Sequence, residues 1–75
     1  MKTKRIIVAL YVYEQLMLPD SKVTKENILS SLDISPATFK RVISDIRCYL
    51  QEYQPEKELV YIPKGRNYVI KRTKF

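Results

Sequence analysis

Basic residues and small residues recur between residues 35 and 48 at the three- and four-residue spacing of a helix. A step of about 100° per residue places four of them on one face. These four are Ala37, Arg41, Ser44 and Cys48. Lys40 and Arg47 flank this face on one side, and Thr38 and Asp45 flank it on the other. Cationic groups bind anionic or acceptor-rich surfaces, and small neighbours allow close approach. The pattern therefore predicts a surface for an anionic polymer, with an ordinary solvated helix face as the alternative.

A second group of cations lies in a predicted loop over residues 63–67, which contains the only Gly of the chain together with Lys64 and Arg66. Two cations in such a loop suit phosphates or an adjacent minor groove. Further cations gather at the two ends of the chain: Lys2, Lys4, Arg5, Lys71, Arg72 and Lys74. These terminal cations either extend the binding surface or only keep a small domain in solution.

The composition excludes most kinds of catalytic site. The 75 residues include 14 Lys and Arg against 8 Asp and Glu, which gives a formal net charge of +6. There is no His, and a single Cys can form neither an internal disulfide nor a zinc site without it. The carboxylates are scattered, without a nucleophile–base pair or a Gly-rich phosphate loop. We therefore expect no enzyme activity, no metal, no cofactor and no small-molecule ligand.

Three predicted helices must position the cations. Apolar spacing predicts the first over about residues 4–17 and the third over residues 36–53. Between them, Thr24 is a suitable N-cap for a short second helix. Ser35 is the predicted N-cap of the third helix, and Pro36 suits its first position because the N–H that proline lacks is unpaired there.

The remaining residues predict a turn and a hairpin. Asp33 tolerates the left-handed conformation that a tight connection between the second and third helices can require. Residues 59–62 and 68–70 are β-branched and aromatic, which predicts two strands. The predicted fold is mainly α with a small β-hairpin: a winged helix-turn-helix of three helices and a two-stranded wing, in one domain over residues 1–75.

The first helix is apolar all round. The row predicted to face the core is Ile6, Leu10, Tyr13 and Met17, with Ala9 and Leu16 beside it. Val8, Tyr11 and Val12 lie on the far side, about 140–240° from Ile6. An all-apolar helix is expected to be covered on both sides, so these three residues predict a homodimer interface. The alternative is that the hairpin shields them.

Aromatic residues could also stack on the bases of single-stranded nucleic acid. However, Phe39, Tyr49 and Tyr53 follow the apolar spacing of the third helix, and Tyr13 follows that of the first. We therefore predict that these four side chains belong to the core.

Residues 34–41 (ISPATFKR), followed by Ile43, Ile46 and Arg47, resemble a known helix-turn-helix. They are similar to the DeoR-type domain that begins WYL-domain bacterial transcriptional regulators, where an S-x-x-T-x-x-R-D-I stretch forms the recognition helix. Residues 65–68 (GRNY) loosely resemble the G-G-Y-like end of that family's wing. Val42 replaces the acidic residue that usually follows the arginine.

This resemblance implies sequence-specific binding of duplex DNA by a transcriptional regulator. The positions that match the family's DNA contacts are Ser35, Ala37, Thr38, Lys40 and Arg41. The chain reaches Phe75 without residues that resemble a WYL domain, so it is either an excised domain or a free-standing regulator, and the family's ligand sensing has no residues here.

The predicted function is transcriptional regulation, with the third helix in the major groove and the loop over residues 63–67 as the wing. Base reading is assigned to Ala37, Thr38, Arg41 and Ser44, and phosphate contacts are assigned to Lys40, Arg47, Lys64 and Arg66. Two alternatives remain: a winged-helix module that docks on polymerase or another regulator, and a non-specific nucleic-acid binder. A salt titration with matched and scrambled duplexes distinguishes the three.

The N-terminal order of cations followed by apolar residues resembles a signal peptide. Glu14 and Gln15 stand where a small-residue cleavage site is expected, and the apolar run is shorter than the roughly 20 residues that span a bilayer. We therefore expect a cytoplasmic protein without a membrane partner.

Overall fold

Three helices and three strands follow one another in the computed structural model, which describes residues 4–18 and 22–72. In chain order they are α1 (Arg5–Met17), β1 (Val23–Thr24), α2 (Lys25–Leu32), α3 (Pro36–Tyr53), β2 (Lys57–Ile62) and β3 (Asn67–Arg72). The terminal cations Lys2 and Lys74 lie outside the described residues. In the ranges described, no helix is both long and apolar enough to cross a membrane.

The predicted caps and the predicted turn between α2 and α3 are confirmed. The hydroxyl of Thr24 accepts a hydrogen bond from the backbone N–H of Asn27 at 3.1 Å. Ser35 caps α3 in the same way, with Pro36 in the first turn. Asp33 ends α2 in the left-handed region (φ 50°, ψ 54°). These caps fix where α2 and α3 begin, and the cap of α3 so fixes which residues that helix exposes.

The sheet has three antiparallel strands in the order β1-β3-β2, so the predicted two-stranded hairpin is incomplete. In the β2–β3 hairpin Tyr61 lies opposite Tyr68 and Leu59 lies opposite Ile70. The additional strand β1 adds only two residues, pairing Val23 with Tyr68. Two residues carry no periodic signal, which is why the sequence did not reveal this strand.

The core lies between α3, α1 and the inner face of the sheet. The predicted apolar row of α3 is buried: Phe39, Val42, Ile43, Ile46 and Leu50. Val23 and Leu59 from the sheet, Ile28 from α2 and two residues of α1 complete it. No buried polar or charged residue is found in the described part of the chain.

The predicted orientation of α1 is wrong for Ile6, Leu10 and Met17, whereas Ala9, Tyr13 and Leu16 pack half-buried against the core. Val8 and Val12 are fully buried at 0% exposure and Tyr11 packs half-buried against the core, whereas Ile6 and Leu10 are 63% and 60% exposed. Both rows follow helical spacing, so periodicity does not distinguish them. The smaller valines let α1 approach α3 and the sheet closely. The predicted dimer interface of Val8, Tyr11 and Val12 is therefore wrong, because these side chains belong to the core.

Two of the tyrosines predicted in the core are also exposed. Tyr49 and Tyr53, in the last turns of α3, are 44% and 70% exposed. Tyr13 of α1 is half-buried, and its ring meets that of Tyr49 edge to face at 6.0 Å. Tyr49 in turn lies 5.5 Å from Tyr53, so the three rings form a row along the surface between α1 and α3.

Candidate nucleic-acid interface

The predicted contact face of α3 is exposed along its length. Its exposed residues are Ala37, Lys40, Arg41, Ser44, Arg47 and Cys48. Cys48 is a free thiol, as the sequence predicts. Within residues 4–18 and 22–72 the cations Lys40, Arg41 and Arg47 have no ion-pair or hydrogen-bond partner. Their charges are therefore available to a ligand rather than used within the fold.

Asp45, on the flank of the predicted contact face, is held by a residue from another helix. The Nε of Arg5 donates to the Oδ2 of Asp45 at 3.0 Å, and both side chains are about half exposed. An exposed pair contributes only about 0–1 kcal/mol to stability. It does, however, hold the carboxylate on the α1 side of α3, away from the row of Lys40 and Arg47.

Ser35 and Thr38 lie together at the start of α3. The Ser35 hydroxyl accepts from the backbone N–H of Thr38 at 3.2 Å, and the two side-chain hydroxyls are 3.0 Å apart. Thr38 is half-buried. Both predicted contact residues therefore take part in the cap of α3, whereas Ala37 and Arg41 have no such role.

A groove of about 560 Å³ lies along α3, between this helix, the start of α2 and Tyr68 of β3. Lys40 and Arg47 line it from α3, and Lys25 lines it from the start of α2. Two predicted base-reading residues, Ala37 and Ser44, lie on its wall, and Tyr68 closes it from β3. The groove brings together cations from two helices, of which the sequence predicted only those on α3.

Two tyrosines of the hairpin lie beside this groove. The ring of Tyr68 packs edge to face on that of Phe39, with 5.6 Å between the ring centroids, and the centroids of Tyr61 and Tyr68 are 5.0 Å apart. Tyr61 is 42% exposed, so an aromatic surface continues from the groove across the hairpin onto β2. The sequence signal for this pair was the hairpin register, which places the two residues directly opposite each other across the turn.

The hairpin loop gathers three cations. Its turn, residues 63–66, is closed by the N–H of Arg66, which donates to the carbonyl oxygen of Pro63 at 3.3 Å. Lys64 and Arg66 are both exposed. A Cβ at Gly65 would collide with the Asn67 side chain and come within 3.7 Å of Cε of Lys22. Lys22, which the sequence did not single out, therefore lies at the loop beside the two predicted cations.

Arg66 has a left-handed backbone conformation, with φ 52°. This region is favoured by glycine and disfavoured for a side chain such as that of arginine. The neighbouring Gly65 does not adopt a left-handed conformation, because its φ is not positive. The loop thus carries its arginine at the position that glycine would fill at lower conformational cost.

Acidic residues are absent from the first half of α3 and from the hairpin beyond residue 58, although Glu26 follows Lys25 and Asp45 lies between Ser44 and Arg47. There is none between residues 34 and 44 and none from residue 59 to the end of the chain. The described residues also contain no group of three or more side chains suited to hold a metal ion. Comparison with protein-family models, curated proteins and solved structures gives no match to this chain.

Proposed function

We propose that this chain is a winged helix-turn-helix domain that binds specific sequences of duplex DNA and regulates transcription. The order of elements is helix, strand, two helices joined by a tight turn, then a hairpin, and β3 lies between β1 and β2. One side of α3 is exposed and an exposed basic loop joins β2 to β3, which supports α3 as a helix that enters the major groove. The proposal places α3 in the major groove of the DNA and assigns the hairpin loop, residues 63–67, as the wing.

The unpaired cations on the open side of α3 carry this proposal. Arg41 lies at the centre of the exposed face, with the small residues Ala37 and Ser44 on the turns to either side. A guanidinium there can donate two hydrogen bonds to O6 and N7 of guanine, a contact worth about 1–3 kcal/mol of discrimination between bases. The small neighbours let the helix backbone approach the base edges.

Phosphate contacts come from the cations around this face. Lys40 and Arg47 lie along the groove, and Lys64 and Arg66 lie in the loop. Lys25 adds a cation from the N-terminus of α2, where the helix dipole also favours an anion. Five phosphate contacts predict that the logarithm of the binding constant falls with the logarithm of salt concentration at a slope of about −4.5.

Selection from a random duplex library, followed by salt titration of the best and a scrambled duplex, tests the proposal. We expect a preferred sequence, and we expect Arg41→Ala to lose most of the preference while binding both duplexes at similar strength. Lys64→Ala should weaken binding to both duplexes alike and reduce the salt slope by about 1.

Lys71→Ala is the matched control, because Lys71 is an exposed lysine at the end of β3 remote from the loop. It removes the same charge and should leave the slope nearly unchanged. Equal effects of Lys64→Ala and Lys71→Ala, without any sequence preference, would indicate a non-specific binder that works through net charge. Absence of DNA affinity at low salt would contradict the proposal and favour the protein-docking alternative.

A further inference from the structure

An exposed apolar surface runs along α1 and the last turns of α3, on the side of α3 that carries Asp45. We call it the α1–α3 patch. It comprises Ile6, Leu10, Tyr13, Met17, Tyr49 and Tyr53. The four α1 residues share one helix face, and Tyr13 meets Tyr49 edge to face at 6.0 Å. The groove lined by Lys25, Lys40 and Arg47 lies on the opposite flank of α3, so the patch has no role in the proposed function.

The patch is large for so small a protein. Its most exposed members are Tyr53 at 70%, Ile6 at 63% and Leu10 at 60%. At about 200 Å² for each large residue, the patch exposes roughly 600 Å² of apolar surface, which is the upper limit for an ordinary monomer. When such a patch meets its own copy, about 1,200 Å² is buried, which reaches the lower bound of stable protein interfaces.

A shallow groove in the patch has room for a side chain from a second molecule. It has a volume of about 270 Å³ and lies between Leu10 and Tyr13 of α1 and Ile46 and Tyr49 of α3. Drug-sized ligands occupy pockets of about 300–1,000 Å³, so this open groove is small for such a ligand. It suits an apolar side chain instead, and Leu10 projects beside it from the middle of the patch.

Charge repulsion between two copies is smaller at the α1–α3 patch than at the basic surfaces of the chain. With a net charge of +6, two copies repel each other. Around the patch, however, Arg5 is paired with Asp45, and the other charges close to its residues in the chain are one cation, Lys4, and two carboxylates, Glu14 and Glu52. The cations of the groove and the hairpin loop lie elsewhere, so two copies can meet here without bringing their basic surfaces together.

We infer that the protein forms a two-fold symmetric dimer through the α1–α3 patch, with Leu10 of each copy directed at the groove of the other. A two-fold axis lets the same surface meet itself. The dimer leaves both copies of α3 and both hairpin loops open. Self-association does not depend on DNA, so it can be tested without it.

Sedimentation equilibrium at high micromolar concentration tests the inference. We expect the parent to sediment at twice its 8.9 kDa chain mass. Leu10→Glu and Tyr49→Glu should each give a monomer with an unchanged helical circular dichroism spectrum, because each places a carboxylate in the interface. Tyr61→Glu is the matched control: Tyr61 is as exposed as Tyr49 (42% against 44%) but lies on the hairpin, so this variant should remain a dimer.

Two variants keep the result decisive if one of them fails to fold. A parent that sediments at the mass of a single chain overturns the inference. So does a dimer that persists in both folded patch variants, or one that Tyr61→Glu disrupts as strongly as Tyr49→Glu does.

Discussion

Replacement of Arg66 by glycine should stabilise the fold while it weakens binding to DNA. Arg66 is exposed and has φ 52°. A left-handed conformation costs a residue with a side chain about 1–2 kcal/mol, and glycine avoids this cost. The greater conformational freedom of glycine in the unfolded chain cancels about 0.5–1 kcal/mol of this gain in stability. The net gain is about 0.5–1 kcal/mol, which raises Tm by about 2–8 °C in a domain of this size.

DNA binding should change in the opposite direction, because Arg66→Gly removes one cation from the loop. The salt slope should become shallower by about 1 for every duplex tested. Arg66→Ala is the matched control, since it removes the same charge and keeps a Cβ in the left-handed conformation. We expect both variants to bind DNA equally weakly and only the glycine variant to melt above the parent.

Thermal unfolding by circular dichroism and fluorescence anisotropy with a labelled duplex provide the two readouts. A Tm of Arg66→Gly at or below that of the parent would refute the argument from backbone strain. Parent-like affinity and salt slope in the same variant would refute the assignment of the loop to phosphate contacts, whatever the Tm.

Two further substitutions test the fold. Phe39→Ala should cost roughly 3–5 kcal/mol, because the ring is 2% exposed and also supports Tyr68, and urea unfolding that overlays the parent would contradict this packing. Thr24→Ala should cost about 1 kcal/mol through loss of the α2 cap, and a hydrogen-exchange experiment should show the loss of protection at the amide of Asn27.

Sequence reasoning succeeded where one helix face was polar. α3 has a single continuous apolar row from Phe39 to Leu50, and Ser35 and Pro36 mark its start, so both its orientation and its exposed cations followed from spacing. Tyr49 and Tyr53 were also predicted in the core but are 44% and 70% exposed, because spacing alone does not indicate how far the neighbouring elements cover the helix.

Spacing failed for α1 because the helix has two apolar rows. Ile6 and Leu10 form one row, Val8 and Val12 form the other, and hydrophobicity does not rank them. The fit against α3 and the sheet determines which row is buried, and that fit depends on tertiary packing. Lys25 was missed for a related reason, since its place in the groove depends on how α2 meets α3 and not on its neighbours in the chain.

Thr24 belongs to two elements at once, and this has a mechanical consequence. Its backbone pairs with Asn67 beside the hairpin loop, while its hydroxyl holds the first turn of α2. A change in the angle between the loop and the helices would have to break this pairing and disturb the cap together. In the proposed DNA complex, the two basic surfaces therefore keep a relative orientation that is set during folding, which lowers the ordering entropy lost on binding.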